Sequence, residues 1–157
     1  MNVFDQIGEL VRSAASAQDG CRKALDAILE ATHTGSGTVH ILSPGQTAMD
    51  LLASKNIPQV VLDKIQSVPI GKGMGGVAVE RKQAVTTCNL QTDDAGGVIQ
   101  QGARASGMQG AVAVPIMRGE EAIGALGVAT REPRDFSRAE IDEITAMGRA
   151  LGQALRP

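Results

Sequence analysis

The chain has 157 residues, with 43% hydrophobic and 20% charged residues and a formal net charge of -2. That is the composition of one ordinary folded domain; it excludes a disordered segment and lacks the basic field that holds nucleic acid. Phe4 and Phe136 are the only aromatic residues, which excludes base-stacking platforms and aromatic cages.

Residues 2–18 read as a helix with an apolar seam of Val3, Ile7, Leu10, Ala14 and Ala17. Asp19-Gly20 is expected to break it, and a second helix runs to about Thr32 on Ala24, Leu25, Ile28 and Leu29. The segment Gly35-Ser36-Gly37 ends helical character. Strands are expected over 38–42 and 47–54, joined through Pro44-Gly45-Gln46. Pro58 opens a short helix that closes near Lys64. An extended piece at 68–70, a glycine loop from Gly71 to Gly76, a short helix from Val77 to Arg81 and a strand over 84–87 follow. A loop with a helix near 94–104 precedes two strong strands, Ala111 to Met117 and Ile123 to Thr130. Ser137 and Glu140 have the spacing of a capping box, with Phe136 and Ile141 as its hydrophobic staple. Ile141, Ile144, Met147, Leu151 and Leu155 line one face of the helix that follows. Helices at both ends with strands between predict an α+β fold with an antiparallel sheet.

Three stretches resemble a GAF domain: VPIGKGMGGVAVERKQAVTT (68–87), GMQGAVAVPIMRGEEAIGALGVATR (107–131) and DFSRAEIDEITAMGRALGQAL (135–155). With the opening helices and first hairpin, the resemblance covers nearly the whole chain. It implies a single domain over 1–157: N-terminal helices over 1–32, sheet and pocket over 36–131, and a last helix over 137–155. The sheet would have six strands and be mostly antiparallel. The terminal helices would cover one face. Segments 57–66 and 88–108 would enclose a small-molecule pocket on the other. Such domains sense ligands, and many form homodimers through the terminal helices. With nothing after Pro157, the output is expected on a separate signalling protein.

Gly71 to Gly76 formally matches G-x-G-x-x-G, with Asp93 at the onward distance of a dinucleotide site. A Pro69-containing strand and a two-turn helix are the wrong context, so a glycine turn feeding a short helix is the favoured reading. Candidate ligand contacts are Met74 and Gly75 from this segment, Thr87 and Cys88 at the end of a strand, and Asp93, Asp94, Arg104, Ser106 and Gln109 around the loop-helix. Arg104 offers a fork for a carboxylate or phosphate; Asp93 or Asp94 also suits a helix cap.

Cys21 and Cys88 make neither a disulfide framework nor a zinc site. One enzymatic branch of the family, the free methionine-R-sulfoxide reductases, carries several pocket cysteines, whereas Cys88 has no resolving thiol nearby in this sequence. The cyclic-nucleotide pattern and the Cys-His pair of bilin binders are missing, and haem on His33 or His40 competes with a packed strand histidine. No cofactor can be named. The start, MNVFDQIGEL, shows no signal segment, and no apolar run approaches the ~18 residues of a membrane span, so a cytoplasmic protein is expected. The leading expectation is a non-enzymatic sensor of an unidentified small molecule. A reductase using Cys88 and a ligand-free dimerisation scaffold are the alternatives.

Overall fold

The computed structural model describes residues 2–43, 45–91 and 107–155. The first helix is shorter than its apolar spacing suggests. Helix α1 covers Val3–Ser13, and Ala14 turns to extended backbone. Helix α2 then starts at Ala17 and runs to Thr32, with Ser16 Oγ accepting from the Asp19 amide at 3.1 Å. Asp19-Gly20 therefore lies inside a helix, not at a break. The capping oxygen of Ser16 satisfies an otherwise orphaned amide. Gly20 is where the helices meet: a Cβ there would lie 2.9 Å from Val11 Cα. The buried face of α1 is Ile7, Gly8 and Val11, while Leu10 is only half-buried and Ala17 is exposed.

Strand β1 covers Ser36–Leu42 and takes in Gly37, which the sequence reading placed in a breaker. A Cβ on Gly37 would meet Leu25 and Leu29 of α2 at 2.9 Å, so the glycine lets α2 sit down on the strand. Strand β2 (Ala48–Lys55), helix α3 (Gln59–Leu62) and strand β3 (Ser67–Pro69) follow. Helix α4 spans Gly73–Arg81, so it begins inside the run expected to be a loop. Strand β4 is Val85–Thr87. Strands β5 (Ala111–Arg118) and β6 (Glu121–Ala129) form a hairpin closed by Gly119-Glu120, with Gly119 at φ 61°. Positive φ at the first turn residue suits the twist of a two-residue hairpin.

The six strands lie in the order β3-β2-β1-β6-β5-β4, and every pairing is antiparallel. The fold is thus α+β with an antiparallel six-stranded sheet. Helix α5 (Arg138–Ala154) has the expected capping box of Ser137 and Glu140. It lies on β5, and α1 packs on α2 and α5. Val39, Val112, Val114, Ile116, Leu126 and Val128 of the sheet join Ile7, Leu25, Ile28, Ile144, Met147 and Leu151 in one core. Gly148 and Gly152 belong to this layer. A Cβ on them would approach Pro115 O and Met117 O at 2.7 and 2.0 Å, so these glycines bring α5 down onto its own sheet. No helix among the described residues is long and apolar enough to cross a membrane.

A cavity on the small-residue face of the sheet

Side chains alternate across a strand, so a strand of large and small residues in turn has one filled face and one empty one. Strands β5 and β6 are built this way. Val112 and Val114 with Leu126 and Val128 point to the helices. Ala111, Ala113, Ala125, Gly127 and Ala129 line the opposite face, together with Thr38, His40 and Met49 from β1 and β2. Over that floor lie Ile57, Val61, Lys64 and Ile65 from the α3 region, Gly73, Met74 and Gly75 from α4, and Leu90 and Met108. Floor and cover enclose a cavity of about 540 Å³. Small-molecule sites commonly fall in the range of about 300–1,000 Å³, with mostly apolar walls and a few polar groups.

The polar groups are few and identifiable. His40 is 7% exposed, and its Nε2 lies 2.8 Å from Ile65 O. A carbonyl only accepts, so Nε2 carries the hydrogen and Nδ1 of the neutral ring is a bare acceptor. Burial pushes the His40 pKa below the ordinary imidazole value, while the Ile65 carbonyl and the Asp50 charge oppose that shift. Nδ1 has no hydrogen-bond partner among the described residues. No side-chain nitrogen or oxygen sealed from solvent is left unpaired among them, so this Nδ1 keeps an open side, and His40 lines the cavity. A bulge with Leu52 as the extra residue falls between the Val39 and His40 pairings. Lys64 is exposed at the rim and makes no ion pair among the described residues. Helix α4 opens toward the cavity with Lys72 at its N-cap, whose side chain gives no capping hydrogen bond. The first-turn amides of a helix have no partner within it.

Of the candidate contacts from sequence, Met74 and Gly75 line this cavity. Thr87 is buried at the end of β4 and Cys88 is exposed beside it; neither is part of the lining. The Gln109 side chain turns away and donates to Arg131 O at 2.9 Å. Asp93, Asp94, Arg104, Ser106 and the expected 94–104 helix lie outside the described residues. The glycine run has no parallel βαβ context, because β3 is a three-residue edge strand paired antiparallel to β2. Gly76 serves a close approach there, since a Cβ would fall 2.3 Å from Pro69 O. His33 ends α2 in the left-handed region and is not part of the lining. No group of three His, Cys, Asp or Glu side chains able to hold a metal occurs among the described residues. Cys21 is fully buried, and burial pushes its thiol up to about 12, so it stays an unreactive packing residue.

Lys64 and Ile65 lie in segment 57–66, which the resemblance to the family places over the pocket, but they, Met49 and His40 are not among the contacts named from sequence. The signal for the floor was present in the small-large alternation of AVAV and ALGVA (111–114 and 125–129), where alanine and glycine leave room on one face.

A family model described as GAF domain matches residues 14–156. Among proteins with curated functions, none matches the chain. Among solved structures, the GAF domain of an Acinetobacter phosphoenolpyruvate-protein phosphotransferase is similar at 19% identity and a TM-score of 0.75, covering 97% of this chain and 89% of that one. The corresponding GAF domain from Coxiella burnetii aligns at 17% identity and a TM-score of 0.78, over 96% and 88% of the two chains. A free methionine-R-sulfoxide reductase from Neisseria meningitidis, solved with its substrate, aligns at 14% identity and a TM-score of 0.76, over 97% and 85%. These likenesses concern the fold. The antiparallel sheet, the layer of terminal helices, the covered cavity and the match over 14–156 lead to one conclusion: the chain belongs to the GAF domain family.

Proposed function

We propose that the protein is a cytoplasmic small-ligand sensor that reports occupancy of the cavity to a separate signalling protein. The observation that carries this reading is the cavity itself: about 540 Å³ and mostly apolar-walled, with the Thr38 hydroxyl, His40, Lys64 and the start of α4 as its polar elements. It has the make-up of a binding site. Acyl or redox turnover requires a nucleophile or thiol at the reacting atom. The described lining has no cysteine thiol, and its Thr38 hydroxyl, His40 and Lys64 have no carboxylate among the described lining beside them. Ligand state has a route to the terminal helices. The Arg134 amide donates to Cys88 O at 3.0 Å, next to the Leu90 wall of the cavity. The Arg134 guanidinium donates to Thr32 O and His33 O at the end of α2 and pairs with Glu140 at the start of α5. A twofold dimer through α1 and α5 belongs to the same reading and rests on the half-buried Phe4 and Leu10.

Native mass spectrometry of the purified full chain tests the reading. A retained small molecule that is lost on denaturation, and that raises the melting temperature when added back, supports it. An empty protein that no metabolite stabilises would favour a scaffold. The second reading is a reductase, favoured by the structural likeness to the Neisseria meningitidis, Staphylococcus aureus and Thermoplasma acidophilum sulfoxide reductases. NADPH-coupled turnover of free methionine sulfoxide that disappears in Cys88→Ser would establish it.

A further inference from the structure

The cavity is polar at one end and apolar at the other. His40 of β1 pairs in register with Ala125 of β6. A Cβ on Gly75 of α4 would lie 3.4 Å from Ala125 Cβ, so the first turn of α4 sits over that pair. Ile65, whose carbonyl takes the His40 Nε2 hydrogen, is the chain neighbour of Lys64. His40 and the α4 first turn therefore share one end, and Lys64 lines the cavity from the residue before Ile65. At the other end Leu90, Met108 and Ala111 pack together with Met74 and Ala129 against them.

The charge balance of this arrangement has a sign. Lys64 is the only charged side chain among the described lining residues, and no Asp or Glu is among them. Asp50 acts on His40 through its field but does not line the cavity. The open end of α4 adds partial positive charge and free amide donors, which favour an anion. One full charge and a helix terminus match a single negative charge. The apolar remainder of the walls rejects further charge, because a charge buried there lacks compensation. His40 Nδ1 accepts, so it asks for a donor beside the anionic group.

We propose that the cavity selects a small carboxylate monoanion with an apolar body and one hydrogen-bond donor next to the carboxylate. Lys64 and the amides of the α4 first turn take the carboxylate. His40 Nδ1 takes the donor, and Met74, Leu90 and Met108 surround the body. This rests on the small-ligand reading above and narrows it to one chemical class.

Arg134 and Arg118 are held by backbone carbonyls at helix ends. The groove beside the start of α2 has its terminus capped by Ser16. Cys88 is a lone exposed thiol.

The test uses the full chain and three probes of one shape in calorimetric titrations at pH 7.5. These are 2-hydroxy-4-methylpentanoate, 4-methylpentanoate without the donor, and 2-hydroxy-4-methylpentanamide without the charge. The hydroxy acid should bind best, and the amide should bind at least about tenfold more weakly, the order of one charge-assisted hydrogen bond. Lys64→Gln, at an exposed position, should narrow the gap between acid and amide, and Lys64→Arg should restore it. In the wild type, the His40 imidazole nitrogen shifts should move with the hydroxy acid and not with 4-methylpentanoate. Equal or tighter binding of the amide, or an acid–amide gap untouched by Lys64→Gln, would overturn the proposal and leave the small-ligand reading standing. Failure of all three probes would overturn it too, and the small-ligand reading is then judged by the retained molecule.

Discussion

Replacing Gly152 with alanine tests how tightly α5 is seated on the sheet. The new Cβ would stand 2.0 Å from Met117 O and 3.2 Å from Met117 N, against the 3.4 Å at which ordinary contact begins. The shortfall to the oxygen is 3.4 − 2.0 = 1.4 Å, and the blocking atom is backbone in a paired strand. The helix must lift by that order, because no side-chain rotation clears the clash. Ile144, Met147 and Leu151 are at most 1% exposed beneath it. Each such side chain contributes about 1.5–3 kcal/mol by burial, and a gap of 0.5–1 Å forfeits about a quarter to a half of a contact. The loss is therefore about 1–4 kcal/mol over the three. Gly→Ala inside a helix returns about 0.5–1 kcal/mol. The net destabilisation is about 2 kcal/mol, within the usual range for overpacking. Urea unfolding followed by far-ultraviolet circular dichroism should show a lower midpoint at unchanged slope. Gly35→Ala is the control: nothing lies within 4 Å of its Cβ, and stability should hold or rise slightly. Gly152→Ala as stable as the wild type would refute the close seating.

Ala113→Leu projects three more carbons into the cavity, so probe affinity should fall at least about tenfold while the urea midpoint holds or rises; unchanged affinity would remove this face from the site. His40 titrates below its ordinary value when folded, so its stability contribution is complete above about pH 6.5 and is lost as pH falls from there through the folded pKa, at no more than about 1.4 kcal/mol per pH unit. A midpoint flat between pH 7.5 and 5 would contradict the buried, neutral ring. Asp19 and Glu140 are lowered by their partners Arg22 and Ser137, so their contribution lies at a lower pH, lost only as the carboxylates protonate. Arg134→Ala leaves the α2 carbonyls and Glu140 without their shared donor and should lower stability by about 1–3 kcal/mol, with Arg134→Lys recovering only part. Light scattering coupled to gel filtration should report a dimer that Leu10→Asp disrupts more than Lys55→Asp; a 16.2 kDa species across micromolar concentrations removes the dimer.

The elements legible in the sequence are those whose local chemistry decides them. Ser137 and Glu140 cap α5 as their spacing demands, and the β5–β6 hairpin follows from two β-rich runs around Gly119. Sequence and structure part where a glycine answers to a distant partner. Gly20 was read as a breaker, yet it lies inside α2 because Val11 of α1 needs the space. Gly37 belongs to β1 for the sake of Leu25 and Leu29. Gly73 and Gly75 enter α4, which lies against β5 and β6. The site was legible to the same extent. Met74 and Gly75 could be found because the glycine run is a local signal. Lys64 was within reach only as part of the covering segment 57–66, and His40 not at all, because the tertiary pairing of β1 with β6 and the bond to Ile65 set it beside that segment.

The two faces of the sheet divide the work of the chain. On the helix side, large side chains interlock with α1, α2 and α5, and a packed layer of this kind resists small displacements. On the other side, alanine and glycine leave the space that the covering segments close. Strands β5 and β6 supply both faces, so a molecule pressing on Ala113 or Ala125 pushes on the strands whose Val114 and Leu126 meet the helices. Met117 O touches the site of Gly152, where α5 has no slack. A shift of the floor is therefore met by α5 as a whole and not absorbed by one side chain. Arg134 ties the start of α5 to the end of α2 and to Cys88 O, so the cavity wall at Leu90 meets the same helices by a second route. Two separate mechanical links converge on α5 and α2. A change that uncouples one of them, such as Arg134→Ala, leaves the floor-to-α5 contact in place, whereas a lifted α5 in Gly152→Ala loosens the helix to which both links lead.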